Sequence, residues 1–183
     1  MTTHSVQTPI ADDVLRALRA GDMVRISGVI YGARDAAHKR MVAALAAGQA
    51  LPVDLRGQIL YYVGPAPAKE GHAIGPAGPT TSGRMDPYTA ALLAQGVKGF
   101  IGKGYRSPEV KQALVAQRAI YMAAVGGAAA LLARQIEQSR VVAYADLGTE
   151  AIHEFVVNEF PAIVVNDIYG GDAYETGRAA FAM

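Results

Sequence analysis

From Met23 to Ile30 (MVRISGVI) apolar and polar residues alternate behind Gly21-Asp22, a pattern that predicts a strand with one buried face. Tyr31-Gly32 breaks the run. Asp35 to Ala47 then places Ala37, Met41, Ala44 and Leu45 at helical spacing. Ile59 to Val63 reads as a short apolar strand closed by Gly64-Pro65, and a loop rich in glycine and proline continues to Arg84. Asp86 is read as the cap of the next helix, with Pro87 at its first position, where a missing N–H costs nothing. Val97 to Ile101 is another strand, and Ser107-Pro108-Glu109 repeats the cap-and-proline start for a helix to about Gln117. Ala119 to Val125 reads as a buried strand and the alanine-rich stretch from Gly127 to Glu137 as a helix. Near the end, the β-branched runs at Phe155 and Ile163 flank Asn158 to Pro161, which predicts a hairpin with Asp167 and Asp172 as turn residues. Alternating strands and helices give an α/β class with layered sheets and helices, as one domain over residues 1–183 without internal repeats.

Composition narrows the function. A net charge of +1, with no run of like charges, argues against nucleic acid, which requires a basic stripe. The longest uncharged apolar run, Ala119 to Ala133, is 15 residues and holds Gly126-Gly127, whereas a membrane span needs roughly 20. The first residues carry no basic segment followed by an apolar one, so a cytoplasmic protein is expected. Cysteine is absent, which excludes disulfides, a thiol nucleophile and a thiolate-bound cluster on this chain. Charged residues are 18%, against roughly 25% in ordinary domains, which leans towards a surface covered by a partner.

Three strand-to-helix loops carry a cation beside glycine or a hydroxyl: Gly32-Ala33-Arg34-Asp35, the segment from Gly78 through Thr80, Thr81 and Ser82 to Arg84, and Gly102-Lys103-Gly104. In an α/β sheet ligands gather where strands end and helices begin. Two arginines and a lysine there suit a small dicarboxylate, because guanidinium forks bind carboxylates in bidentate fashion. A solvated arginine and a plain Gly-Lys-Gly turn are the alternatives. Phosphate motifs fail: Val97 and Gly104 stand where a P-loop needs glycine and Ser or Thr, and Ser107 replaces the third glycine of a dinucleotide loop. The four histidines show no HExxH pair. His38, one turn after Arg34, faces either the same pocket or a surface or capping position, and His72 is a second candidate.

The string GPAGPTTSGRMDPYT, from Gly75 to Thr89, is similar to the signature of the β subunit, or C-terminal domain, of class I iron–sulfur fumarate hydratases. SGVIYGARDAAHKRM upstream, then GVKGFIGKGYRSPEV and EFPAIVVNDIYGGDAY downstream, extend the likeness in the family's order over nearly the whole chain. L-tartrate dehydratase β subunits share the skeleton. The resemblance implies a swivelling β/β/α-type domain that closes over a dicarboxylate, and a partner α subunit whose cysteines hold a [4Fe–4S] cluster with one iron open as a Lewis acid. It implies Thr80, Arg84 and Lys103 as catalytic residues, with Thr80 at the position of the base. Arg34, Thr81 and His38 become substrate-binding residues. A second copy of this chain is a further candidate partner. The expected reaction is hydration of fumarate to (S)-malate; the alternatives are L-tartrate dehydration to oxaloacetate and a non-catalytic dicarboxylate-binding module. The loop from Pro65 to Arg84 is expected to be mobile without a partner.

Overall fold

Residues in the middle strands alternate between two different cores. Ile59, Tyr61 and Val63 join one apolar cluster while Leu60 and Tyr62 join another, and Ile101, Ile120 and Met122 separate likewise from Phe100 and Tyr121. Strands buried on both faces are the mark of a parallel sheet covered on each side. The computed structural model, which describes residues 2–182, shows how this arises. The strands are β1 (Thr3–Gln7), β2 (Met23–Gly32), β3 (Ile59–Tyr61), β4 (Gly99–Gly102), β5 (Ile120–Ala123), β6 (Ile136–Ala143) and β7 (Ile152–Asn166). The helices are α1 (Asp12–Ala17), α2 (Asp35–Ala46), α3 (Asp86–Leu93), α4 (Pro108–Ala116), α5 (Ala129–Ala133) and α6 (Ala173–Ala180), with 3-10 segments at Ser82–Met85 and Ala145–Glu150.

The seven strands form one sheet in the order β1-β2-β3-β4-β5-β7-β6, and β7 also pairs with β2. That extra pairing closes β2, β3, β4, β5 and β7 into a ring. The first cluster fills the inside of the ring with Ile26, Ile30, Ile59, Tyr61, Ile101, Met122, Phe155 and Phe160. The second lies outside it, where Ala37 and Met41 of α2, Leu92 and Leu93 of α3, and Val110 and Leu114 of α4 cover Leu60, Tyr62, Phe100 and Tyr121. The fold is α/β, as the alternation of elements predicts. Strands β2 to β5 run parallel, so the loops after them emerge at one end of the ring.

Three local expectations need correction. The hairpin does not exist: β7 is one 15-residue strand that runs through Asn158 to Pro161. Its turn-forming residues make a bulge instead, with Glu159 at φ 52° and its N–H donating to Ser27 Oγ at 3.0 Å, while the partner strand takes Gly28 at φ 108°. The alanine-rich helix spans only Ala129–Ala133, and the chain then becomes β6, an edge strand along the first half of β7. Asp86 does not cap α3, whose start follows directly on the 3-10 segment. Its carboxylate accepts from Arg106 Nε at 2.7 Å and from the Ser107 N–H at 2.8 Å. Ser107 does cap α4, accepting from the Val110 N–H. Asp167 is a turn residue, and Asp172 caps α6 through the N–H groups of Tyr174 and Glu175.

Candidate functional site

At the open end of the ring, β3 and β4 are prolonged by an inserted segment. The Thr80 N–H donates to Tyr62 O at 2.7 Å, the Lys103 N–H to Thr80 O at 3.2 Å, and the Ser82 N–H to Lys103 O at 2.8 Å. Thr80, Thr81 and Lys103 therefore sit on adjacent backbone, with Thr81 and Lys103 exposed and Thr80 half-buried. Ser82 anchors the insertion. It is fully buried and lies 2.9 Å from Tyr121 Oη, which donates its own proton to Gly104 O, so the serine is the donor. Glycine at 102 is what admits it, because a Cβ there would overlap Ser82 Oγ. The loop after β5 closes the rim, with Gly126 against the Lys103 stem.

Arg84 follows on the 3-10 segment and meets Arg34 at a single carboxylate. Arg34 Nε lies 3.1 Å from Asp35 Oδ2 and Arg84 Nε 2.8 Å from Asp35 Oδ1. Burial alone would raise the Asp35 carboxyl's pKa; its own backbone N–H, Arg34 and Arg84 outweigh that and hold it below the usual range. Glu150 completes the group, accepting from the Ala36 N–H at 2.9 Å at the start of α2 with its other oxygen 3.6 Å from Arg34 Nη2. Arg34 lies over Gly64, where a side chain would crowd its Cδ and Nη1. The result is an open face on which two guanidinium groups are balanced by two carboxylates, with Arg34 25% and Arg84 53% exposed.

His38 lies beneath this face and not at it. Its ring is fully enclosed, edge-on to Tyr62, with Nδ1 2.9 Å from Arg34 O. A carbonyl only accepts, so Nδ1 carries the proton, and Nε2 is buried without a partner. Burial pushes its pKa down to about 4, helped by Arg106, against the raising effect of the Arg34 carbonyl. The unfolded chain therefore binds a proton that the folded chain refuses between about pH 6.5 and 4, and stability is lost as pH falls through that window. His153, also lowered by burial, adds in the same direction. Asp22, Asp35 and Asp172 are depressed carboxylates whose contributions vanish only below the usual carboxylate value. Urea unfolding from pH 7 to 4 should show a decline in which His38 accounts for on the order of 3 kcal/mol. The His38→Gln variant should flatten most of it, and an unchanged slope would refute the assignment. His72 lines a separate hollow of about 510 Å³ with Lys69, Ile74 and Arg134.

Sequence reasoning missed Arg106. Its side chain is fully buried, donating to Asp86, to Tyr62 Oη at 3.2 Å and to Thr89 Oγ1 at 2.6 Å, over the rings of Tyr62, Phe100 and Tyr121. It ties the loop that carries Lys103 to the start of α3. Nothing in GYRSP distinguishes this arginine from a surface one. From the sequence Asp35 stands out only as the end of the first cationic loop and the start of a helix. Among the described residues no three His, Asp or Glu side chains gather in a metal-holding group, and no helix is long and apolar enough to cross a membrane.

Comparison with known proteins follows the same outline. Residues 2–177 match the family described as Fumarase C-terminus. The chain is 38% identical to fumarate hydratase 2 of Leishmania major over 156 residues, which is 84% of this chain and 28% of that protein. It is 39% identical to the aerobic class I fumarate hydratase of Escherichia coli K12 over 152 residues, 82% of this chain and 28% of that one. A Methanocaldococcus jannaschii protein, provisionally named L(+)-tartrate dehydratase subunit beta, is 36% identical over 167 residues, covering 88% of this chain and 86% of its own. The chain thus spans less than a third of the two fumarate hydratases and most of the tartrate dehydratase subunit. With a family match running from residue 2 to residue 177, the chain belongs to the Fumarase C-terminus family.

Proposed function

We propose that this chain is the substrate-gripping β subunit of a two-subunit iron–sulfur hydro-lyase that interconverts fumarate and (S)-malate by adding and removing water. The observation that carries the reading is the meeting of Arg34 and Arg84 on one carboxylate, beside the backbone step that joins Thr80 to Lys103. A face that seats a carboxylate between two guanidinium groups suits a small diacid. In this reading Arg34 and Arg84 grip the substrate carboxylates, while Thr81 and Lys103 add a donor and a charge at the rim. Thr80 takes or returns the proton beside a carboxylate. A threonine hydroxyl is a poor base, so the positive charge of Arg84 and Lys103 has to stabilise its alkoxide. His38 serves the site from below, by fixing the backbone at Arg34.

The [4Fe–4S] cluster of this reading belongs to an α subunit. This chain has no cysteine and no gathered ligand set among the described residues, so its side chains do not fit the cluster. Its own part is gripping the diacid and moving a proton. A single domain, a cytoplasmic setting and a second copy of the chain as a further partner belong to the same proposal. L-tartrate dehydratase is the second reading, supported by the 36% identity to the Methanocaldococcus jannaschii protein provisionally named as its β subunit.

Anaerobic mixing with a cluster-loaded α subunit tests both. Loss of fumarate ultraviolet absorbance on mixing, with none for the chain alone, is the expected result. Turnover of L-tartrate but not malate moves the assignment to the second reading. Turnover by the chain alone removes the two-subunit reading.

A further inference from the structure

We infer that Asp35 is a positioning residue, a built-in counter-ion that brackets Arg34 and Arg84 and presents them to the substrate as one paired grip. The inference rests on the hydro-lyase reading and adds a residue to it. Each oxygen of Asp35 is committed to a different arginine, Oδ2 to Arg34 Nε and Oδ1 to Arg84 Nε. Arg34 is held by a hydrogen bond from its Nε and Arg84 by an ion pair to the other oxygen, which leaves terminal amino groups of both to take a ligand carboxylate. Among the described residues, no other carboxylate lies within ion-pair range of Arg84. Arg34 has Glu150 as a second, longer contact at 3.6 Å.

Two like charges on flexible stems do not stay side by side unaided. Arg84 is half exposed, and without an anchor its stem samples many rotamers while repulsion from Arg34 drives it outward. Asp35 cancels one charge of the two and fixes both stems. Its own place is secured by the first turn of α2, which Glu150 braces through the Ala36 N–H, and by the bidentate pair of Arg40 with Asp146 further along. The competing effect is electrostatic. Removing the carboxylate makes the face more positive, but through water that favours a dianion only a few-fold. Loss of alignment should exceed it, because both arginines lose their anchor together.

Steady-state kinetics of the assembly with its α subunit give the test. Asp35→Asn keeps the shape but offers one acceptor oxygen in place of two. Its KM for fumarate should rise about tenfold with kcat within about threefold, the mark of a lost grip on ground and transition state alike. In an Arg84→Ala background the same substitution should raise KM by clearly less than in the parent, because only the Arg34 half of the bracket is then left to lose. An unchanged or lowered KM, or full additivity, overturns the inference. A second measurement does not depend on activity. Nitrogen-15 spectra of the chain should show the Arg34 Nε–H, hydrogen-bonded to Asp35, protected from solvent exchange beside the buried Arg106 Nε–H, and in Asp35→Asn only the Arg34 signal should exchange faster. Absence of a protected Arg34 signal in the parent chain sinks the bracket. An inactive parent assembly with that signal present would count against the hydro-lyase reading and not against the bracket.

Discussion

Arg106→Ala should destabilise the chain by about 3–5 kcal/mol, the range for removing one partner of a buried ion pair. The guanidinium has no exposed surface and spreads its donors over Asp86, Tyr62 and Thr89. Burial by itself would lower its pKa; Tyr62 and Asp86 more than reverse this, so the charge is secured by its partners. Truncation leaves the 15%-exposed Asp86 carboxylate with the Ser107 N–H and strips the Tyr62 and Thr89 hydroxyls of their donor. It also opens space among the Tyr62, Phe100 and Tyr121 rings. Arg106→Met fills that space without the charge and should recover part of the loss. Adding Asp86→Asn to it should recover about 1 kcal/mol more, because no unpaired charge then remains. Urea denaturation followed by circular dichroism gives these differences, and an Arg106→Ala chain within about 1 kcal/mol of the parent would refute the account.

Arg106 also shows where sequence reading stops. A buried arginine and a solvated one carry the same local pattern, and only the rings of Tyr62 just past β3, Phe100 in β4 and Tyr121 in β5 distinguish them. Strands β2 and β4 and helices α2 and α4 were legible because period, glycine breaks and the Ser-Pro start all agree locally. The hairpin failed because a bulge and a turn use the same residues: Asn158 to Pro161 fits either, and pairing with β2 decides. Edge strand β6 follows five alanine-rich helical residues without a clear alternation, since much of it faces solvent. For the site, parallel strands place their following loops at one end, so the grouping of three cationic loops could be anticipated. Their centre could not. Asp35 reads as the start of a helix until Arg84, from a different loop, is seen on its second oxygen.

The largest effect on activity is expected at Arg84. Under the hydro-lyase reading, Arg84→Ala should lower kcat/KM of the assembled enzyme by about a hundredfold or more, since a carboxylate left unpaired in a closed site costs 2–5 kcal/mol. The same substitution should scarcely touch the stability of the chain. Arg84 is 53% exposed, and its pair with Asp35 is screened by water, so its loss is worth less than about 1 kcal/mol. This opposition distinguishes a gripping residue from a structural one, and it is the reverse of Arg106. Arg84→Lys restores a charge without the fork and should recover only part of the activity, because a point charge cannot hold both carboxylate oxygens in register. It should also leave Thr80 with some of the positive field that its alkoxide needs. Steady-state rates and unfolding curves on the same preparations make the comparison. If Arg84→Ala unfolds early and loses activity in proportion, the residue is a brace and the gripping face lies elsewhere. If it unfolds normally and turns over fumarate normally, the carboxylate seat at Arg34 and Arg84 is not where the diacid binds.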